Sequence, residues 1–453
     1  MQKRLRPLQL AAIIFLTVSG GPYGLEPLLS YAGKNSALLL IMITPFLWDV
    51  PSIFMVLELN SMMPVTGGYY QWVKRALGKR WAFYEGWWTW LYTFVDLAIY
   101  PVLFIQYAAF FFPIITVYTV FGIKLKILIG LVIIWASAAL NILGIVRVGK
   151  ASMWLGALVL IPFLFMFIMF FLHHPGHLSM PELNFKGASI STTGMALYTV
   201  MWNFLGWDNA TTYAEEVDKP IRTYLVSIAI TFCAVLIVYI FTIFVTQQSG
   251  IDFKFLSDNG FPALGVMIGG TWLGRLLALG GMASMLGIFS AVLLSVSRVP
   301  KAMAEDRLLP AKLNSLHPRF KTPYISIIVC ATVVSIMINL KFTELIIIDV
   351  ILYGAGLVLE LISLVALRVK EPHVYRPFKI PLNISGLCII ILFPLALLII
   401  ALSGAFATSD RTTILALSAL GALISAEVMW QVIKVFRFSK TPNEIVYEEE
   451  QLK

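Results

Sequence analysis

The chain is poor in charge. Of its 453 residues only 13% are Asp, Glu, Lys or Arg, against 59% hydrophobic residues. That balance excludes an ordinary soluble domain and fits an all-α protein that crosses a membrane many times. Cysteine is scarce too, with three residues in all. Cys233, Cys330 and Cys388 each fall in an apolar stretch, where a thiol behaves as a small hydrophobe. Neither a structural disulfide nor a disulfide-linked partner subunit is expected. Gly-x-Ser-x-Gly, His-Glu-x-x-His and Walker signatures are missing, so an enzyme or an ATP-driven pump lacks its parts, and no cofactor is expected. The net charge of +9 needs no nucleic-acid partner. Most Lys and Arg lie in the connections that become cytoplasmic if the N-terminus is cytoplasmic, and the positive-inside rule then puts both termini there. The location expected is the plasma (inner) membrane.

What remains is apolar sequence in twelve bilayer-length stretches, at 8–32, 37–62, 82–112, 126–146, 151–172, 191–216, 222–247, 268–300, 324–340, 344–368, 384–404 and 412–436. The opening Lys3-Arg4-Leu5-Arg6 imitates a signal peptide. However, Gly20 to Glu26 is a poor cleavage region and the apolar pattern resumes at once, so this stretch is kept as span 1. Within it, Ser19-Gly20-Gly21-Pro22-Tyr23-Gly24-Leu25-Glu26 breaks the helical ladder in a place where lipid cannot satisfy the freed backbone. Glu26 follows the break, where an ionisable group is costly unless used. Span 6 repeats the pattern in Asn203-Phe204-Leu205-Gly206-Trp207-Asp208-Asn209. Two interrupted helices point to a central site between them. Asp208 reads either as a cap for the broken end or as a substrate ligand.

Other polar residues are sparse. Span 2 carries Asp49 at mid-depth and Glu58 near its end, followed by a short interfacial helix around Gln71 to Leu77. Asp96 lies deep in span 3 beside Tyr100 and Pro101, with no basic residue nearby, and reads as a neutral acid, a cation site or a relay. Glu215 and Glu216 lie near Asp218, Lys219 and Arg222 and read as a gate or a solvated end. In span 10, Asp349 is expected to be solvated, while Glu360 is a relay, a cavity acid or a partner of Arg368. Glu427 is unexplained by the sequence, a helix–helix contact being one reading of it. The outer His173-His174-Pro175-Gly176-His177 run lacks an acid or Cys at ligand spacing, so no metal site is expected. The acidic tail is expected to be disordered from 441 to 453.

Gly67-Gly68-Tyr69 and Ser297-Arg298 with Ala302-Met303-Ala304-Glu305-Asp306-Arg307-Leu308-Leu309-Pro310 resemble the amino acid–polyamine–organocation permeases. Ser19 to Glu26, Asp96 to Phe104, Trp207-Asp208 with Ala214-Glu215-Glu216-Val217, and Arg376-Pro377-Phe378-Lys379-Ile380-Pro381 are most similar to the plant-type polyamine uptake permeases and their L-type amino acid transporter-like kin. The resemblance implies twelve helices in a LeuT-like 5+5 inverted repeat, with helices 1 and 6 broken and two helices added. The units would be 1–173, 174–370, 371–440 and the tail 441–453. It also implies a possible sodium site at Ser284 and Ser290 facing carbonyls of span 1. Several amino-acid permeases of the superfamily carry a span 5 lysine for proton coupling, and this chain lacks it. Protons would then be taken by Glu26, Asp96 or Glu360.

The substrate signals conflict. Amides at Ser19, Gly20 and Gly21 suit a carboxylate. Glu26, Asp96 and Asp208, with no balancing cation, suit an organic cation, and Tyr23, Tyr100, Phe204 and Trp207 offer aromatic faces to it. These residues and Gly24 form the expected site. The reading is a proton-coupled polyamine carrier working by alternating access. The alternative is an amino acid permease or exchanger, and a channel or receptor fits less well.

Overall fold

A computed structural model describes residues 4–120, 122–173, 183–185, 187–338 and 342–438. His174, Pro175, Gly176, His177 and the tail from 441 lie outside the described residues. Among those described, nine helices are long and apolar enough to span a bilayer, and the protein is an integral multi-pass membrane protein.

Helix α1 (Pro7–Val18) starts on a proline, where the missing amide costs no helical bond. It stops at a run in which Gly20, Gly21 and Gly24 have φ of +58°, +90° and +99°, a region glycine enters without a Cβ penalty. The next helix, α2 (Glu26–Met62), is two helices joined at Gly33, whose φ is +70°. The expected span 1 is therefore two half-helices. The interfacial helix α3 (Gly68–Leu77) buries Tyr69, Tyr70, Trp72 and Val73 and turns Lys74 and Arg75 outward. The long α4 (Lys79–Ala109) follows, then a two-residue hairpin of β1 (Thr119–Val120) and β2 (Ile123–Lys124), α5 (Leu125–Ile142) and α6 (Ile145–His173).

The second half opens with α7 (Ile190–Trp202), capped by Ser189. An irregular stretch around Gly206, φ +97°, leads into 3-10 turns at Asn209–Thr212 and Ala214–Glu216. After α8 (Pro220–Gln248) come two short helices, α9 (Phe253–Asn259) and α10 (Phe261–Gly269). Then follow α11 (Thr271–Val296), α12 (Arg298–Glu305), α13 (Tyr324–Met337), α14 (Phe342–Lys370), α15 (Ile384–Thr408) and α16 (Asp410–Phe438). The core is formed where α1 packs on α6, α8 and α11, α7 on α2 and α15, and α4 on α11 and α14. Trp154, Ile389 and Ile424 show the opposite pattern, being large, apolar and exposed, as expected of faces that meet lipid.

Candidate functional site

The two broken stretches meet in the middle of the bundle. One hydroxyl, Tyr239 of α8, ties them together: it lies 2.7 Å from Ser19 Oγ and within 3.2 and 3.0 Å of the Gly21 and Asn203 carbonyls. The space between them is a small cavity of about 20 Å³, room for roughly one water. Thr17, Val18, Ser19, Tyr92, Asp96, Tyr100, Trp202, Asn203, Leu205, Asn209, Ile288 and Asp349 line it.

The amides of the first break are already used. Ser19 and Gly20 both donate to the Phe15 carbonyl, at 2.9 and 2.8 Å. Gly21 donates to Ser19 Oγ at 3.0 Å, and Gly24 to Glu26 Oε2 at 2.6 Å. The other Glu26 oxygen accepts from the Tyr107 hydroxyl at 2.7 Å. Glu26 thus closes the start of its own half-helix and does not line the cavity. Asp96 does line it, and accepts a short bond from Tyr100. Tyr100 stacks on Trp202, with ring centroids 6.3 Å apart. Asp349, expected to be solvated, is instead 1% exposed, and neither carboxyl oxygen has a hydrogen-bond partner. Its place on the inward face of α14 puts it in the cavity wall with Asp96.

Asp208 stands at the N-cap of Asn209–Thr212, yet its side chain makes no cap bond to that turn. Its Oδ1 accepts from the Tyr353 hydroxyl at 2.7 Å, and its carboxyl adjoins that of Glu360. The aromatic candidates separate. Tyr100 faces the cavity. Tyr23 donates to the Leu277 carbonyl at 2.7 Å and packs among Tyr107, Phe163 and Phe261. Phe204 meets Tyr239 edge-on. The Trp207 indole donates to Asp49 at 3.1 Å. Ser284 donates to the Gly20 carbonyl, while Ser290 binds Asn141 at 3.1 Å, so the two serines serve different contacts.

A model of the amino acid permease family matches residues 5–424. The chain belongs to that family. Similar proteins include the polyamine transporter RMV1 of Arabidopsis thaliana, 34% identical over 398 residues, 87% of this chain and 79% of the relative. The polyamine transporter PUT1 of Oryza sativa subsp. japonica is 28% identical over 453 residues, 96% and 80% of the two chains. The serine/threonine exchanger SteT of Bacillus subtilis is 23% identical over 399 residues, 84% and 87%. The permease is thus a membrane transporter of the amino acid–polyamine–organocation superfamily, not an enzyme. Among the described residues, no three His, Cys, Asp or Glu side chains gather as a metal site.

At the end of the bundle that carries the N-terminus the permease is tightly closed. Leu5 forms backbone bonds to Glu216 and Asp218, 3.0 Å each. Arg298 binds Glu216 at 2.7 Å, Thr66 binds Glu215 at 2.8 Å, and Lys74 and Tyr70 both bind Asp306, at 2.5 and 2.6 Å. Arg368 is not Glu360's partner. It grips Glu58 with two guanidinium nitrogens, Arg376 approaches the same carboxylate at 3.3 Å, and the Ile380 amide donates to it at 2.8 Å. Burial lowers the Arg376 guanidinium from its ordinary value, against the pull of Glu58. Glu427, unexplained by the sequence, binds Arg80 across α16 and α4 at 2.7 Å. Sequence reading missed Glu85, Tyr92, Trp202 and Tyr353. The signal for two of them is a stripe along α4, Glu85-Thr89-Tyr92-Asp96-Tyr100, whose spacing keeps all five on one helical face.

Proposed function

We propose that the permease is a secondary transporter that takes up polyamines, such as putrescine or spermidine, by alternating access coupled to protons. The observation that carries this reading is the charge imbalance at the centre. Asp96 and Asp349 line the small central cavity and Asp208 is buried next to its wall at Asn209, with no Lys or Arg bonded to any of the three among the described residues. Such a site is costly when empty of positive charge and is relieved by an ammonium or by protons. An α-carboxylate, the anchor an amino acid would offer, meets amides at Ser19, Gly20, Gly21 and Gly24 that are already bonded. Tyr92, Tyr100 and Trp202 supply aromatic faces suited to an alkyl-ammonium chain.

The packing supports a 5+5 inverted repeat with twelve crossings. If α1 to α6 form one repeat and α7 to α14 the other, contacts exchange between them: α1 against α8 answers α7 against α2, and α6 against α11 answers α14 against α4. The closed end that holds Arg298–Glu216 is then the cytoplasmic gate, with both termini on that side of the plasma membrane. Proton coupling is assigned to Asp96, with Asp208 kept for the substrate ammonium. A proton and a cation can travel together only if they occupy different carboxylates. The test is spermidine uptake into proteoliposomes with an imposed pH gradient and no sodium. Accumulation is expected to follow the gradient in the native permease and to collapse to exchange in Asp96→Asn. Uptake that ignores pH and requires sodium overturns the proton reading and moves attention to Ser284 and the Gly20 carbonyl.

A further inference from the structure

The polar stripe of α4 has a counterpart on α14. Glu85, Thr89, Tyr92 and Asp96 follow one another at intervals of four, three and four residues, and so do Asp349, Tyr353, Gly356 and Glu360. That interval keeps each set on one face of its helix. The two faces meet and run antiparallel. Asp96 and Asp349 share the cavity wall, and the rings of Tyr92 and Tyr353 touch edge-on with centroids 5.4 Å apart. The Glu85 carboxyl sits where a side chain at position 356 would be. Each helix therefore carries an acid at either end of its stripe, about 16 Å apart along the axis. Asp208 enters between the ends, bonded to Tyr353 and adjoining Glu360.

The inner end of this ladder has no part in the cavity described above. Glu85 and Glu360 are 1% and 2% exposed, and each has one carboxyl oxygen without any hydrogen-bond partner. The Tyr69 hydroxyl of α3, 0% exposed, faces Thr89 of the α4 stripe and lies within electrostatic reach of Glu85, Asp208 and Glu360 together. No basic side chain bonds to these groups among the described residues; the buried arginines are engaged elsewhere, Arg298 with Glu216 and Arg368 and Arg376 with Glu58. Unspent acceptors of one sign, buried together, are a site for positive charge.

We infer that Glu85 and Glu360 form a second ammonium subsite, inward of Asp208, that binds the far end of a linear polyamine. This rests on the cation reading given above. The ladder offers carboxylates at three levels, so a tri- or tetraamine of the spermidine or spermine type can engage more than one, whereas a four-carbon diamine reaches only neighbouring levels. The inner level is filled by its own side chains in this closed arrangement, and the amine enters it as α4 and α14 separate.

The experiment is a binding series on the purified full-length permease with putrescine, spermidine and spermine, read by competition against labelled spermidine. In the native permease, spermine is expected to bind about tenfold or more tighter than putrescine, the scale of one additional charge-assisted contact. In Glu85→Gln and in Glu360→Gln that advantage should vanish while putrescine affinity stays as it was. Equal affinity for putrescine and spermine in the native permease overturns the second subsite without any variant having to fold. So does a spermine advantage that survives in both glutamine variants. The cation reading fails separately, and visibly: no amine of any length binds, while a zwitterionic amino acid does.

Discussion

Two sets of buried carboxylates sit in the same bundle and are treated in opposite ways. Glu58, 0% exposed, receives bonds from Arg368, the approach of Arg376 and the amide of Ile380, so every lone pair that matters is answered. Of the acids between α4, α14 and the second break, Glu85, Asp96 and Asp208 receive threonine or tyrosine hydroxyls, Asp349 receives nothing, and among the described residues none receives an arginine. Desolvating a carboxylate costs several kcal/mol in either place. At Glu58 the compensation is built in and permanent, and its effect is to bind α2, α14 and the connection to α15 into one unit. Along α4 and α14 no such partner stands among the described residues, and under the cation reading proposed above the compensation is brought by a ligand that comes and goes. A fixed partner marks a joint, and a missing one marks a site.

The comparison is most sharply broken at Arg368. Arg368→Met leaves Glu58 buried with Arg376 at 3.3 Å as its one remaining charged partner among the described residues, beside the Ile380 amide, and removing one member of a buried pair costs about 3–5 kcal/mol. The expected outcome is a large fall in thermal stability in detergent, with much of it regained in the double variant Glu58→Met, Arg368→Met, where no charge is stranded. A single variant as stable as the native permease would mean that Glu58 is not the joint its contacts describe.

Asp208→Asn tests the other side. Taking one charge from a crowd of like charges is expected to leave stability unchanged or improved, since repulsion is relieved. Polyamine binding should weaken by about 2–3 kcal/mol, the worth of a charge-assisted contact. Calorimetry and a melting curve on the same preparation separate the two effects. If binding holds and melting falls, Asp208 belongs to the architecture of the break through Tyr353.

How much of this was legible in the sequence follows from what each feature depends on. The broken helices were readable because glycine, proline and an acid inside an apolar run leave a mark in the chain itself. Asp96 was readable for the same reason. Glu26 was placed in the site because it follows the break, but its carboxylate turns back onto Gly24 and Tyr107, a choice made by contacts from α4 that no local pattern reveals. Asp349 lies near the end of its span, where depth alone predicts exposure, but the face it occupies on α14 decides its burial. Glu85 was visible as part of a stripe of period near 3.6, hidden among the aromatic residues of Trp87 to Trp90. The pairing of Glu58 with Arg368 joins residues more than three hundred positions apart, beyond any reading of local spacing.

Asp49 stands between the two sets and gives the smallest effect. It is 0% exposed, one oxygen accepts from the Trp207 indole at 3.1 Å, and the other has no partner. Trp207 does not line the cavity; it packs edge-on against Phe232, away from the acids of α4. By the logic of Glu58 this is a joint, between α2 and the second break, held by one donor where Glu58 has several. Trp207→Phe keeps most of the buried area and removes the donor, so the cost is that of one hydrogen bond to an acid, about 1–2 kcal/mol of stability. Polyamine affinity should not change. Asp49→Asn in the same background should restore part of the loss, because a neutral amide in that position costs less to leave unanswered than a carboxylate. A drop in polyamine affinity with unchanged melting in Trp207→Phe would reverse the assignment, returning Trp207 to the substrate and making Asp49 one more acid of the site.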